Sequence, residues 1–410
     1  MPFVAACAMP GHIMALAAAL CATALNMRTR RATTEIEMIA AAHLKAASGK
    51  KGVSDSEIAE RLDLSPSRIS RLLADAREAG MLRPEVFDRS MIDDETFARV
   101  EERIGLPSDL RQRINAVSDK PLLQEVRIVF GEDTEAPEDN QESRNRARRN
   151  FGNEAAAHIC HYLRMSKVVG IAWGRDCAAV LRAVPAQWWG KKDEEITVFP
   201  VRGEPIGYHD LDYSPSTLAG ELQRQLTGSI NALSLLGIPA IVPPLDPNPA
   251  EDRRLRDDLE RYFLKFEDYQ KICGSSPCLL DEVRCIVCSC GPVDALSPFT
   301  RRCFDTSLPP DPKTLEQAIV GDIAGVLLPR SSASAGTVGM WNERWIGIKR
   351  THFEACVVRA ADRPKDCAGP VLCAWDAAKA EAVVEACCRN LVSRLVLSSA
   401  IAAEVNRLVP

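Results

Sequence analysis

Aromatic side chains are scarce in this 410-residue chain, at 5%. That argues against stacking platforms for single-stranded nucleic acid as a first idea. Charge of one sign is not in excess either, with 51 Lys+Arg against 56 Asp+Glu. A formal charge of −5 leaves DNA binding open but requires any basic surface to be local. From residue 28 onward there is no uninterrupted apolar run of about 18 residues, so no membrane partner is expected. Histidine is rare, at six residues, and none falls in an H-E-x-x-H pattern. What remains is ordinary for a globular protein: 46% hydrophobic and 26% charged residues, enough for two or three domains at roughly 150 residues each.

The fifteen cysteines are scattered and odd in number, which reads as reduced thiols in a cytoplasmic protein rather than a disulfide framework. Cys285, Cys288 and Cys290 lie within an apolar run with Val283, Ile286 and Val287. They are expected as small residues of a buried strand, with no metal site and no cofactor. Residues 1–32 are expected to be a disordered or loosely helical extension. Its basic residues, Arg28, Arg30 and Arg31, follow the apolar stretch, the reverse of a secretory signal, and Met27 is an alternative start.

From residue 33 a helical period emerges: Ile36, Ile39, Ala40, His43, Leu44 and Ala47. Ser54 and Glu57 are spaced as a capping box and open a short helix to Leu62. Ser65-Pro66 is a second start signal, and the helix it opens is expected to end at Gly80. Two helices joined by a short turn form a helix-turn-helix, whose second helix can lie in a major groove. Ser65, Ser67, Arg68, Ser70 and Arg71 fall at the leading end of that helix and are the candidate DNA contacts. Hydroxyls and N-terminal amides suit phosphate oxygens, and arginine can pair bidentately with guanine. Residues 28–83 hold eleven Lys/Arg and eight Asp/Glu, a local +3. Met81 to Val86 is compatible with a wing strand, limited to an edge by Pro84. The expected domain spans residues 33–90, with a helical linker region over 91–150. In that linker Glu95–Ile104 and Ser108–Val117 are helical and 131–149 is an exposed excursion. Its basic end, Arg144, Arg146, Arg148 and Arg149, is expected to be a solvated helix face.

Over residues 151–410 helix and strand patterns alternate, which predicts an α/β domain around a mainly parallel sheet. Strands are expected at 167–174, 196–201, 283–290, 322–327, 371–374 and 394–397, with helices at 155–159, 176–183, 217–226 and 377–389. Ligands of such domains bind beyond the carboxyl ends of the strands. The turns of interest are therefore Trp173-Gly174-Arg175-Asp176, Arg202-Gly203-Glu204, Cys290-Gly291-Pro292 and Trp375-Asp376.

The segment E-I-A-E-R-L-D-L-S-P-S-R-I-S-R-L-L-A-D-A-R-E-A-G-M-L resembles the helix-turn-helix of the sorbose-operon regulator (SorC) family. The V-V-G-I-A-W-G-R stretch falls where that family has its W-G-x-T turn, and G-D-I-A-G at 321–325 and residues 379–405 are similar too. The resemblance covers about residues 33–410 and is weak between 240 and 320. It implies a winged-helix-like DNA-binding domain followed by an α/β domain of the phosphosugar isomerase/deaminase (NagB/RpiA-like) fold. It further implies a double-stranded DNA operator, a sugar or sugar phosphate effector, and a homotetramer or homodimer. Together with the strand-end turns, it points to Gly174, Arg175, Asp176, Gly203, Asp322 and Lys379 as the effector residues. This chain departs from the pattern in two places: Asp176 stands where the family has threonine, and Trp375-Asp376 replaces a glycine pair. A carboxylate at 176 is expected to repel a phosphate.

Three functions follow. The leading one is an effector-controlled transcription regulator of a carbohydrate-related operon. The second is a ligand-independent DNA-binding regulator with a degenerate pocket. The third, a phosphosugar isomerase-like enzyme, needs a general base. Asp176, Glu204, Asp294 and Asp322 supply carboxylates, but none falls with a histidine in a recognisable constellation, and His158, His161, His209 and His352 read as packing or hydrogen-bonding residues. The chain is therefore not expected to be an enzyme.

Overall fold

The computed structural model describes residues 34–42, 44–45, 54–79, 81–83, 86–87, 109–129, 141–185, 196–204, 211–226, 230–242, 245–246, 248–292 and 316–410. The expectations for residues 1–32, Gly80, the helix at 95–104, His209 and Asp294 lie outside them. The chain divides into two compact units, residues 1–106 without 47–49, and 107–410 with 47–49.

In the first unit, helical residues 34–42 and 44–45 precede the helices Asp55–Leu62 and Pro66–Glu78. The capping box forms: the Glu57 N–H donates to Ser54 Oγ at 3.2 Å, and the Ser54 N–H donates to Glu57 Oε2 at 2.7 Å. Asp63 ends the first of these helices in the left-handed region, at φ 52°. Ser65 then caps the next through the Arg68 N–H at 3.3 Å, with Pro66 in the first turn. Ile39, Leu44, Ile58, Leu62, Ile69, Leu72, Leu73 and Leu82 close a single small core. Strands β1 (Leu82–Arg83) and β2 (Val86–Phe87) pair antiparallel.

The second unit is mixed α/β around a seven-stranded parallel sheet. Its strands are β3 (Glu125–Val129), β4 (Val168–Ile171), β5 (Ile196–Pro200), β6 (Ile230–Ala232), β7 (Cys285–Cys288), β11 (Gly369–Ala374) and β12 (Arg394–Ser398). Their order is β3-β12-β11-β7-β4-β5-β6. Three short strands, β8 (Cys290–Pro292), β9 (Ile319–Ile323) and β10 (Val326–Pro329), form a separate antiparallel sheet in the order β10-β9-β8. The central strands are buried on both faces and read as continuous apolar runs, as parallel strands must. Cys285, Cys288 and Cys290 are buried in β7 and β8, as the apolar run around them predicts. After β4 the chain moves outward to β5 and β6, then returns to lay β7 on the other side of β4 and continues to β11 and β12. The order therefore reverses between β4 and β7, which makes their carboxyl ends a topological switch point, where ligands of such sheets bind.

Several expected elements differ in extent. The helix expected to begin at Ala155 is Gln141–Ser166, continuous through residue 150, because Phe151 and Ala147 already pack into the core below the charged run. The single segment expected at 322–327 is a hairpin, β9 to β10, turned by Ala324 (φ 48°) and Gly325 (φ 81°). Two successive positive φ angles suit the right-handed twist of a two-residue hairpin, and glycine holds the second without a Cβ penalty. The run at 283–290 splits into β7 and β8 at Ser289.

Candidate functional site

Three strand ends meet at the reversal point. Gly174 follows β4 and leads into the helix Arg175–Arg182, placing Asp176 in its first turn. Ser289 follows β7, Trp375 and Asp376 follow β11, and the short helix Ala377–Lys379 ends with Lys379. These residues converge on one carboxylate. Lys379 Nζ donates to Asp176 Oδ2 at 2.6 Å, Arg148 Nε donates to Oδ1 at 2.9 Å, and the Trp375 N–H donates to Oδ2 at 3.2 Å. Ser289 Oγ adds a contact at 3.5 Å and accepts a further bond from Lys379 Nζ at 3.1 Å. Asp176 is 1% exposed. Burial alone would raise its pKa, but Lys379 and Arg148 outweigh that and hold the carboxyl below its usual range. Lys379 is held above its own usual range by the same pairing, again against burial.

This encloses Asp176 and pairs it with two cations. It also corrects the reading of the basic run as a solvated face. Arg144 pairs with Asp376 and Arg148 with Asp176, and their guanidinium carbons sit 5.6 and 5.0 Å from the centroid of the Trp375 ring. Arg146 and Arg149 are exposed, as expected.

The hairpin β9–β10 supplies Asp322. Its Oδ2 accepts the Gly325 N–H at 2.6 Å, so one oxygen serves the turn, and its Oδ1 faces Gly291. Burial pushes the Asp322 pKa up to about 6, against the pull of the Gly325 N–H and the Arg202 and Lys379 charges. The tip of the hairpin is docked: the Ala324 N–H donates to Ser289 O at 3.0 Å, and Arg202 Nε donates to Ala324 O. Arg202 follows β5 and is buried, its guanidinium 4.4 Å from the Trp345 ring centroid and 5.7 Å from that of Trp173. Lys349, with Nζ bonded to the carbonyls of Asn342, Glu343 and Trp345, is pushed down to about 8 by burial and by the charge of Arg202.

The remaining expected residues are placed differently. Gly203 is packed against the backbone of Ile238 and Pro239, where a Cβ would strike both carbonyl oxygens, so its role is close approach of chain to chain. Arg175 is exposed, its guanidinium 5.8 Å from the Tyr213 ring centroid. Glu204 is buried, and neither of its carboxylate oxygens has a hydrogen-bond partner among the described residues. Sequence reasoning missed Ser289, read Arg148 as part of a solvated face, and named Arg202 only within a turn of interest. Only the i, i+4 spacing of Arg144 and Arg148 hinted that two cations share one helix face.

In the first unit, Arg68 Nη2 donates to Glu37 Oε2 at 2.5 Å and the Ser70 hydroxyl to Asp55 Oδ2 at 3.0 Å. Glu37 is buried, so half of the expected arginine pair is committed inside the unit. Ser65, Ser67, Arg68, Ser70 and Arg71 are all exposed. Among the described residues no helix is long and apolar enough to cross a membrane.

No protein-family model matches the sequence, and no curated protein is significantly similar to it. Solved structures do match. The sorbitol operon regulator SorC from Klebsiella pneumoniae aligns over 86% of this chain and 94% of its own, at 14% identity and TM-score 0.49. A DeoR family transcriptional regulator from Listeria monocytogenes aligns over 72% of this chain and 98% of its own, at 17% identity and TM-score 0.47. A transcriptional regulator from Streptococcus pneumoniae reaches a TM-score of 0.50 at 16% identity, over 73% of this chain and 98% of its own. These three are transcriptional regulators, and the mixed α/β fold of this chain is similar to that of the Streptococcus pneumoniae protein.

Proposed function

We propose that the chain is a DNA-binding transcription regulator of a carbohydrate-related operon, of the SorC kind. In this reading residues 33–90 contact double-stranded DNA and residues 151–410 hold a sugar-like effector and assemble the homo-oligomer. The observation that carries it is the serine-capped helix Pro66–Glu78, with Ser65, Ser67, Ser70 and Arg71 exposed on its leading turns. The likeness in fold to a transcriptional regulator supports it. The phosphosugar isomerase/deaminase ancestry of the larger unit and the cytoplasmic location belong to the same proposal.

Effector control works through spacing. Two recognition helices engage half-sites about one helical turn apart (~34 Å) only when the subunits hold them at that separation. A ligand that binds one arrangement better shifts the population toward it. The test is genome-wide mapping of bound sites, followed by anisotropy titration of a mapped fragment with and without candidate sugars. Equal affinity for mapped and scrambled duplexes would remove the regulator reading.

The ligand-independent alternative has one observation in its favour: Asp176 occupies the cations at these strand ends with the chain's own carboxylate. A thermal-shift screen separates the two. A ligand at 100 times its dissociation constant stabilises by about 2.7 kcal/mol, and no shift with any sugar or polyol favours the alternative.

A further inference from the structure

Lysine, arginine, a hydroxyl and a main-chain N–H gathered at the start of a helix, beside a topological switch point, are the components of an anion site. Here each of them is turned onto the two oxygens of Asp176. Arg148 is further committed through its contact with the Trp375 ring and a 3.4 Å bond from Nη1 to Asn145. Lys379 divides its protons between Asp176 and Ser289. The β9–β10 hairpin adds a second buried carboxyl group, Asp322, with Oδ2 on the Gly325 N–H and Oδ1 against Gly291. Lys379 and Arg148 are therefore both committed to Asp176, and an incoming phosphate would bring negative charge against that buried carboxylate.

The same edge of the sheet holds polar atoms without partners. Among the described residues, the two carboxylate oxygens of buried Glu204, after β5, accept no hydrogen bond, and the Nε1–H of buried Trp375, after β11, donates none. Buried acceptors and donors left open in this way are matched by hydroxyl groups, which both give and take hydrogen bonds.

We propose that Asp176 is a built-in anion that closes the cationic subsite at these strand ends, so that the chain takes an uncharged polyhydroxylated ligand and refuses a phosphorylated one. The proposal rests on reading this edge as the effector site and names the charge class of its ligand.

The probe is inorganic phosphate, added to the full-length protein against chloride at matched ionic strength. Calorimetry and thermal unfolding are the readouts. Wild type is expected to show no saturable phosphate binding up to tens of millimolar. Asp176→Asn leaves Lys379 and Arg148 without their counter-charge. It is expected to melt lower in chloride, to recover in phosphate, and to bind phosphate roughly tenfold or more tighter than wild type, as a charge-assisted site would. The double variant Asp176→Asn, Lys379→Met is expected to lose that gain. Saturable phosphate binding by wild type that Lys379→Met abolishes would overturn the proposal, as would an Asp176→Asn protein that gains no phosphate affinity. Should Asp176→Asn fail to fold, the wild-type titration still decides. No DNA enters the assay, so loss of the regulator reading leaves this result standing, and the reverse also holds.

Discussion

Asp322 offers a pH-dependent test of the hairpin docked beside Ser289 and Arg202. In the folded chain its pKa is raised from 3.8 to about 6 by burial. A carboxyl raised in this way binds its proton more tightly when folded than when unfolded. It therefore costs nothing below about pH 4, and its cost grows as pH rises, levelling off above about pH 6. At about 1.4 kcal/mol per unit, the full penalty is about 3 kcal/mol at neutral pH. Between about pH 4.5 and 7 the change amounts to about 2 kcal/mol. Asp322→Asn keeps an oxygen for the Gly325 N–H and removes the titration. The stability of wild type minus that of the variant should therefore fall by about 2 kcal/mol across that interval. Urea denaturation followed by tryptophan fluorescence measures it. All six tryptophans lie between residues 173 and 375, so the signal reports the larger unit alone. His352, whose pKa burial lowers, also titrates in this range, with stability rising as pH climbs, but it is present in both proteins and cancels. A difference that stays constant within about 0.5 kcal/mol from pH 4.5 to 7 would refute the placement of Asp322 in a dry, low-dielectric turn.

Other outcomes follow from the same contacts. Arg71→Ala should weaken specific DNA binding by roughly 1–3 kcal/mol while leaving stability within about 0.5 kcal/mol. Arg68→Ala should instead destabilise the first unit by about 1–2 kcal/mol, since it strands the buried Glu37, and the half-exposed arginine limits the effect. Anisotropy and circular dichroism of the two variants distinguish these roles. Gly203→Ala should cost about 2 kcal/mol or more in urea, because the new Cβ meets the rigid carbonyls of Ile238 and Pro239. Ser54→Ala removes a side-chain acceptor from the capping box and should cost about 1 kcal/mol, read as a lower midpoint for loss of helical signal.

Local signals made some elements legible. Ser54, Glu57, Ser65 and Pro66 act within three residues of their partners, so two helix starts could be read directly. Strands β4, β7, β11 and β12 were readable because a parallel strand buried on both faces needs an unbroken apolar run. Strand β3, Glu125-Val-Arg-Ile-Val, was missed: its two charged residues interrupt that run, and Glu125 pairs with Arg394 of the neighbouring strand. The helix Pro249–Phe263 was missed because its surface is almost wholly charged and only Asp252 and Phe263 are buried.

The sequence by itself determined the caps, the alternation that makes an α/β unit, and the turns that would gather beyond the strand ends. These depend on neighbours along the chain and on a period that folding leaves intact. Whether a charge is free or committed was decided only by the tertiary structure. Asp176 meets Arg148 from 28 positions away and Lys379 from 203, and Arg68 meets Glu37 from 31. Electrostatic pairing depends on distance in space and on exclusion of water, and neither is written into spacing along the chain.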